Sequence, residues 1–438
     1  MTIWHLKKGS EKKFRFGHPW VFSNELAQSP KGIRPGELIE LRDFSGAFLA
    51  RGYGHPNSLI SFRTLSTRQE PAIDGSFFIE RFKIAARARE IAGLDKESHR
   101  LCFAEGDRLP GLVIDRFILA GELGQAFVVQ SSTAGMDALL EQVIEGLEGL
   151  VKHEAQKHQT SVSWQNTVII IANDSKARTM EGLVAEPKKV IQSPSGFNAE
   201  KAKLLVQAAS SEHQALTFTA DLVGGQKTGF FLDQRSNVQI TARFVKQLLA
   251  NESLANKREI RVLDLCCYIG QWGTQLANLA TQHGKSAHVT LVDASSQALQ
   301  IAAENVQAHG GVAEIRKLDV LGQGEGGLDA LERRSYDVVI CDPPAFIKKK
   351  KDLPTGAQAY YKMNREAIRK TAPSGIYVSC SCSGLFGEED FRSMLARVMQ
   401  SFDGDIRWLA RGGHSPDHTQ RPEFPQGTYL KSWIGAVL

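Results

Sequence analysis

"RVLDLCCYIGQWG", residues 261–273, decides how the second half of this 438-residue chain folds. An apolar run carrying Asp264 breaks into a turn containing Gly270 and Gly273, and a helical pattern follows. The two glycines let the backbone turn tightly and approach a ligand, while the next helix offers its N-terminal amides. The same grammar then repeats. Strand "AHVTLVDAS" (287–295) leads into helix "SQALQIAAENVQAHG" (296–310). Strands "AEIRKLD" (313–319) and "YDVVICD" (336–342), a helix over 358–371 and strand "GIYVSC" (375–380) complete the series. Such alternation predicts an α/β architecture with a doubly wound, largely parallel sheet, whose ligands sit at the carboxyl ends of the strands.

Chemistry-bearing residues fall at those ends. Asp293 closes the second strand, twenty residues after Gly273, where a carboxylate can accept both hydroxyls of a ribose. Asp319 closes the third. Glycine turns alone are common; glycines with Asp293 and Asp319 point to an adenosine-containing ligand. A dinucleotide needs G-x-G-x-x-G around its pyrophosphate, which "CYIGQWG" lacks. S-adenosylmethionine has no phosphate and carries a sulfonium, so Asp264 nearby is sensible. The fourth strand ends in "VVICDPPAF", where two prolines make a rigid wall. Asp342 can bond the edge of a flat base there, and Phe346 can stack on it. A plain turn before a helix would also use Pro-Pro.

The fifth strand runs into "IYVSCSCSGLF" (376–386), with Cys380 inside it and Cys382 at its end. Buried free cysteines are ordinary core residues, which suits Cys380. Cys382, beside Ser383 and Gly384, is where a substrate can reach. The cysteine spacings match no standard zinc site, so no metal is expected. Cys102 and Cys341 read as structural.

Upstream the grammar differs. Residues 1–70 read as short strands ("PGELIELRD", "GAFLARGYG", "LISFRTL") separated by Gly and Pro turns, which favours a small β-barrel. A linker follows, then an α+β segment over 75–190 with a helix at 77–94 whose apolar positions are 77, 78, 82, 84, 85 and 91, and another helix around 136–150. The α/β segment occupies 195–438. Hydrophobic content of 42% and charged content of 23% are those of a globular protein, and net charge is +5. Most of that excess lies in residues 1–75, with eleven Lys/Arg against seven Asp/Glu, and this suggests a polyanionic partner. A solvated surface is the alternative. The start lacks an apolar core of signal-peptide length, and no run approaches membrane-spanning length, so neither membrane nor export is expected. Six cysteines, two of them adjacent, fit a reducing compartment, and the cytoplasm is the default. A homodimer is left open.

The order "QKTGFFLDQR", the glycine turn, "DPPAF", "SCSG" and "FPQGTYLK" resembles the ribosomal RNA large-subunit cytosine-C5 methyltransferases. So do "KKGSEKKFRFGHPWVFSNEL" near the start and "EGDRLPGLVIDRF" in the middle. The chain departs from that pattern at Gln271, where a second glycine is usual, in the basic "IKKKK", and at Thr419. The resemblance implies an N-terminal PUA domain, a central α+β domain and a Rossmann-like class I methyltransferase domain. It implies that Cys382 is the nucleophile and that the glycine turn and Asp293 hold S-adenosylmethionine. Lys12, Lys13 and Arg15 would then belong to an RNA-positioning PUA barrel, with large-subunit ribosomal RNA as the partner. The chemistry wants a thiolate, because C5 of cytosine is a poor nucleophile until a thiolate adds to C6. Two other functions remain compatible: methylation of a purine ring nitrogen, which needs no thiol, and a non-catalytic RNA-binding scaffold.

Overall fold

Three sheets organise the chain in the computed structural model, which describes residues 1–70, 72–121, 124–158, 162–211, 214–250, 258–322 and 327–438. Met1–Leu205, Asp221–Phe230 and Pro416–Gly427 form one compact unit; Val206–Ala220, Phe231–Ser415 and Thr428–Leu438 form a second.

The first unit opens with strands β1 (Thr2–His5), β2 (Trp20–Phe22), β3 (Leu38–Arg42), β4 (Phe48–Gly54) and β5 (Ile60–Ser66), ordered β1-β3-β4-β5-β2. Just past β1 and β2 the chain pairs Leu6 with Leu26, so the outer strands meet and the sheet curls into a barrel-like form. Trp4, Val21, Ile39, Leu41, Ala50 and Phe62 fill it. The turn between β3 and β4 is set by Asp43, whose Oδ1 accepts the amides of Ser45 (2.9 Å) and Ala47 (3.0 Å).

The second sheet contains β6 (His99–Phe103), β7 (Leu112–Leu119), β8 (Gln125–Ser131), β9 (Thr167–Ile171), β10 (Lys189–Gln192) and β11 (Ala202–Gln207). Its order includes β10-β9-β8-β7-β11, with β6 on β7. Only β8 and β9 run parallel among these pairs. The crossover between them holds the helix Leu140–His158, as parallel neighbours require. It packs on helix Gly75–Ile91, and the close approach needs Gly146, where a Cβ would lie 2.5 Å from that of Phe78. The helix expected around 136–150 is two, Ala134–Ala138 and Leu140–His158.

One expectation for helix Gly75–Ile91 fails. Ile84 and Ile91 are 64% and 74% exposed. Its core face is Phe78, Phe82, Ala85 and Arg89, spaced at helical period, and Ile84 lies two residues off that face. Arg89 holds the place an apolar residue would take, because Asp107 receives its guanidinium at 2.6 and 2.8 Å. Two later segments complete this unit through buried bonds of the same kind. Thr228 donates to Asp115, and Asp417 accepts the amide of Arg100 at 2.9 Å.

The second unit holds β12 (Ala215–Ala220) and the sheet formed by β13 (Glu259–Leu265), β14 (Ser286–Asp293), β15 (Gly311–Lys317), β16 (Tyr336–Cys341), β17 (Thr371–Ser381), β18 (Ile406–Gly412) and β19 (Lys431–Val437). The order is β15-β14-β13-β16-β17-β19-β18. β13 to β17 are parallel to their neighbours among themselves, and β19 is antiparallel to both strands beside it. Strand order therefore reverses between β13 and β16, the place where such sheets bind ligands. One core lies around Val262, Leu276 and Leu299, another around Leu263, Tyr360 and Ile368, so both faces of the sheet are covered. No helix among the described residues is long and apolar enough to cross a membrane.

Candidate active site

At the carboxyl end of β13 the chain makes a strained turn. Cys266, Tyr268 and Gly270 all have left-handed φ, of 61°, 49° and 77°. Only the last is a glycine; the other two hold conformations that cost side-chain-bearing residues about 1–3 kcal/mol each. Helix Gln271–Gln282 starts immediately afterwards. Gly273 packs this helix onto the sheet, since a Cβ there would lie 2.7 Å from Cγ1 of Val289. Its amide donates to Oδ2 of Asp264 at 2.9 Å.

Asp264 is wholly buried, and its Oδ1 has no hydrogen-bond partner among the described residues. Burial, reinforced by the charges of Asp342 and Asp293 and opposed by the Gly273 amide, pushes its pKa up to about 7. A buried carboxyl with one orphaned oxygen, facing two further carboxylates, is a site that a cation would complete. This fits a sulfonium-bearing cofactor and would not fit a pyrophosphate.

Asp293 ends β14 half-buried. Its Oδ2 accepts the Tyr268 amide (3.0 Å) and its Oδ1 the Ser295 amide (2.9 Å). These bonds lock the carboxylate beside the glycine turn and leave each oxygen a further lone pair for a ligand hydroxyl. Asp319 lies two residues past the end of β15, at the same carboxyl edge; exposed, it accepts the Leu321 amide at 3.0 Å.

Asp342 follows β16, next to β13 across the switch point. Its Oδ2 accepts Nε2 of Gln234 (2.8 Å) and the indole Nε1–H of Trp272 (3.2 Å). Gln234 is itself held by Asn237, which donates to its Oε1 at 2.6 Å. Phe346 is half-buried, with its ring 4.9 Å from that of Tyr360 in an edge-on arrangement.

The two thiols of the SCSCS run part company. Cys380 is wholly buried within β17, bonded to Ser432 at 3.4 Å, and burial raises its pKa well above the ordinary value. β17 ends at Ser381, so Cys382 lies one residue past the pleat. Half-buried, its Sγ sits 3.7 Å from the carbonyl of Pro343, in the turn that carries Asp342. Ser383 ties the two loops together: its Oγ accepts the Ile347 amide at 3.1 Å and bonds the Tyr360 hydroxyl at 2.8 Å. Lys431 faces Ser381 across β17 and β19, and its Nζ donates to the carbonyls of Ser383 (2.7 Å) and Tyr429 (2.8 Å). Burial lowers its pKa to about 8, against the opposing pull of Cys382 foremost among the neighbouring charges.

The structure thus gathers Asp264, Gly270, Gly273, Asp293, Asp342 and Cys382 at one edge of one sheet. Gln234, Trp272 and Lys431 join them without having been singled out from sequence, although each lies in a stretch that drew attention: "QKTGFFLDQR", "CYIGQWG" and "FPQGTYLK". Lys12, Lys13 and Arg15 belong to the first unit, on the short helix Glu11–Arg15, all three exposed. Arg15 pairs with Asp43 at 2.9 Å, and Lys13 lies over the Phe22 ring.

Comparison with known proteins agrees with this layout. Residues 5–67 match the family described as PUA-like domain, and residues 239–377 match the methyltransferase small domain. A solved structure, SMU.776 complexed with SAH, superposes over 100% of both chains with a TM-score of 0.70 at 15% identity, a likeness of fold. The protein named ribosomal RNA large subunit methyltransferase I from Klebsiella pneumoniae subsp. pneumoniae is 31% identical over 99% of this chain and 98% of its own. The protein of that name from Photobacterium profundum matches at the same identity and coverage. With relatives of this similarity along its full length, the chain belongs to the ribosomal RNA large subunit methyltransferase I family, a family of S-adenosylmethionine-dependent RNA methyltransferases.

Proposed function

We propose that the chain forms 5-methylcytosine in large-subunit ribosomal RNA through a covalent adduct on Cys382. The observation that carries this reading is the Cys382 thiol held 3.7 Å from the Pro343 carbonyl, beside Asp342 and on the sheet edge shared with Asp264 and Asp293. A purine ring nitrogen is already nucleophilic and gives no use to a thiol so placed.

S-adenosylmethionine supplies an electrophilic methyl group when bound. Asp293 would take the ribose hydroxyls on the lone pairs its amide bonds leave free. Asp264 would face the cationic end, and the Gly270–Gly273 turn would form the floor. Asp342, fixed by Gln234 and Trp272, would hold the N3/N4 edge of the base, with the half-exposed Phe346 ring beside it. Cys382 must then act as thiolate, which at its ordinary pKa is only about 3% of the thiol at neutral pH. The Lys431 ammonium, buried and close to Cys382, favours the anion. Addition of Sγ to C6 makes C5 a carbon nucleophile; after methyl transfer, the C5 proton passes to Asp342 or a water and the C5–C6 double bond re-forms as the thiolate is expelled.

RNA substituted with 5-fluorocytosine tests the reading, because fluorine at C5 cannot leave as a proton does. Incubation with S-adenosylmethionine should give a protein–RNA species stable to denaturation and mapping to Cys382. An enzyme that methylates natural RNA without any trapped species, or with the adduct on Cys380, refutes it.

A further inference from the structure

The first unit contains a cleft of about 330 Å³ whose lining includes Arg15, His18, Glu105, Arg108, Arg421 and Glu423. That volume is within the range of small-ligand sites. His18 is 6% exposed, and its Nδ1 receives the amide of Trp20 at 3.2 Å. Nδ1 also lies 3.3 Å from the Trp20 carbonyl, so the neutral ring has two tautomers there; in the one that accepts the amide, the proton sits on Nε2, and that buried N–H has no acceptor among the described residues. Burial and the charge of Lys13 lower the His18 pKa, which keeps the ring neutral. A neutral donor with nothing to bond is costly to bury unless a ligand completes it.

The charge around the cleft says what kind of ligand. Arg421 pairs with Glu423, and Arg15 with Asp43. Among the described residues Arg68, Arg81 and Arg108 make no ion pair with a carboxylate. Burial, then repulsion from Arg108, Arg68 and Arg421, holds the Arg81 pKa below its usual value; Arg108 is lowered by burial and by Arg421, with Glu423 opposing. Glu105 opposes an anion only weakly, because burial raises its pKa and its Oε1 already takes the Trp20 indole N–H at 2.8 Å. Beside the cleft, between the lining residues Arg15 and Gly17, Phe16 is 84% exposed. Mutually repelling guanidiniums, an orphan N–H and an open aromatic face match a nucleotide of single-stranded nucleic acid: phosphate for the first two, base for the third.

We infer that this cleft binds one nucleotide of the RNA substrate, its phosphodiester on His18 Nε2–H and Arg108 in the field of Arg68 and Arg81, and its base on Phe16. The inference rests on the RNA-methylating function proposed above, but concerns a site in the other compact unit. Full-length Arg68→Gln/Arg108→Gln, both exposed positions, should raise the KM for RNA and leave kcat at saturating RNA unchanged. The slope of log affinity against log salt should become shallower by about 0.7, the one single-strand phosphate contact that the site makes. Phe16→Ala should weaken RNA binding at least fivefold, the low end of about 1–3 kcal/mol per stacked base, with the slope unmoved. If the double variant keeps the wild-type KM and slope while the wild type methylates RNA, the cleft serves another ligand, such as an acidic peptide, and the inference is wrong. If the wild type neither binds nor methylates RNA, the proposed function fails first and this site with it.

Discussion

Cofactor affinity should depend on pH through Asp264, and the structure sets both the sign and the size. The carboxyl is buried with one oxygen unpartnered, and its pKa is pushed up to about 7, first by burial and then by Asp342 and Asp293. A sulfonium placed nearby favours the ionised form, so binding below that pH must release a proton. With the bound carboxylate ionised throughout, apparent affinity falls by the factor 1 + 10^(pKa − pH), about tenfold between about pH 8 and about pH 6. Calorimetry across that range measures it directly. S-adenosylhomocysteine keeps the amine and carboxylate of the cofactor but lacks the sulfonium charge, and should show a weaker dependence. Asp264→Asn preserves an acceptor for the Gly273 amide and should abolish the difference between the two ligands. For folding the sign follows from the same shift. Asp264 is an acid with a raised folded-state pKa, so it destabilises the free chain progressively from about pH 4 to about pH 7, and Asp264→Asn should raise the melting temperature most above that window. Identical pH dependence for both ligands in wild type and variant would refute the placement of Asp264 beside the sulfonium.

Cys382→Ser should abolish methyl transfer while cofactor and RNA binding persist; Cys380→Ser should cost about 1–3 kcal/mol of stability by burying a hydroxyl, yet leave activity in the folded fraction. Denaturant melts and single-turnover assays on the same preparations separate the two effects. Asp293→Ala should weaken S-adenosylmethionine binding at least tenfold, about 1.4 kcal/mol, and unchanged affinity in a folded variant would count against the ribose contact. Lys431→Met should slow iodoacetamide alkylation of Cys382 near neutral pH and move its pH profile upward, with Lys431→Arg restoring part of the rate. An unmoved profile would mean that the ammonium serves only the Ser383 and Tyr429 carbonyls.

Much of the candidate site was legible because its parts are local. The glycine turn, Asp293 and the Asp-Pro-Pro wall each sit where a strand visibly ends, and sheet topology brings strand ends together without further information. Gln234, Trp272 and Lys431 were illegible for the opposite reason. Gln234 reaches Asp342 across 108 residues and Trp272 across 70, and neither partner carries a local mark of the other. Periodicity misled at Ile84 and Ile91, because the position in register with Phe78, Phe82 and Ala85 is filled by Arg89, and its acceptability depends on Asp107. Likewise nothing in "PDHTQRPEFPQG" announces that Pro416–Gly427 belongs with residues near the start of the chain. That placement rests on pairs such as the Trp20–Phe424 ring contact at 4.7 Å.

The separation of Cys380 from Cys382 turns on where one strand stops. Two residues apart on a continuing strand, both thiols would point to the same face and share one environment. β17 stops at Ser381 instead, and the following peptide is held by Ser383, which is itself buried. The Ser383 amide donates to Ser381 Oγ, its hydroxyl engages Ile347 and Tyr360, and its carbonyl takes the Lys431 ammonium. With all of its polar groups occupied, Ser383 fixes the backbone on the C-terminal side of Cys382, while β17 fixes it on the other. The nucleophile proposed above, positioned in this way, would lose little freedom when it attacks, which is where an enzyme gains most from preorganisation. Cys380, one turn of the pleat earlier, is wholly buried and bonded to Ser432; burial, with the nearby charge of Asp342 and against hydrogen bonds to Ser432 and Gln234, holds its pKa well above the ordinary value. The two thiols therefore meet different surroundings, one enclosed within the strand and the other half-buried past its end, because β17 stops between them and a fully bonded serine fixes the chain just after the second.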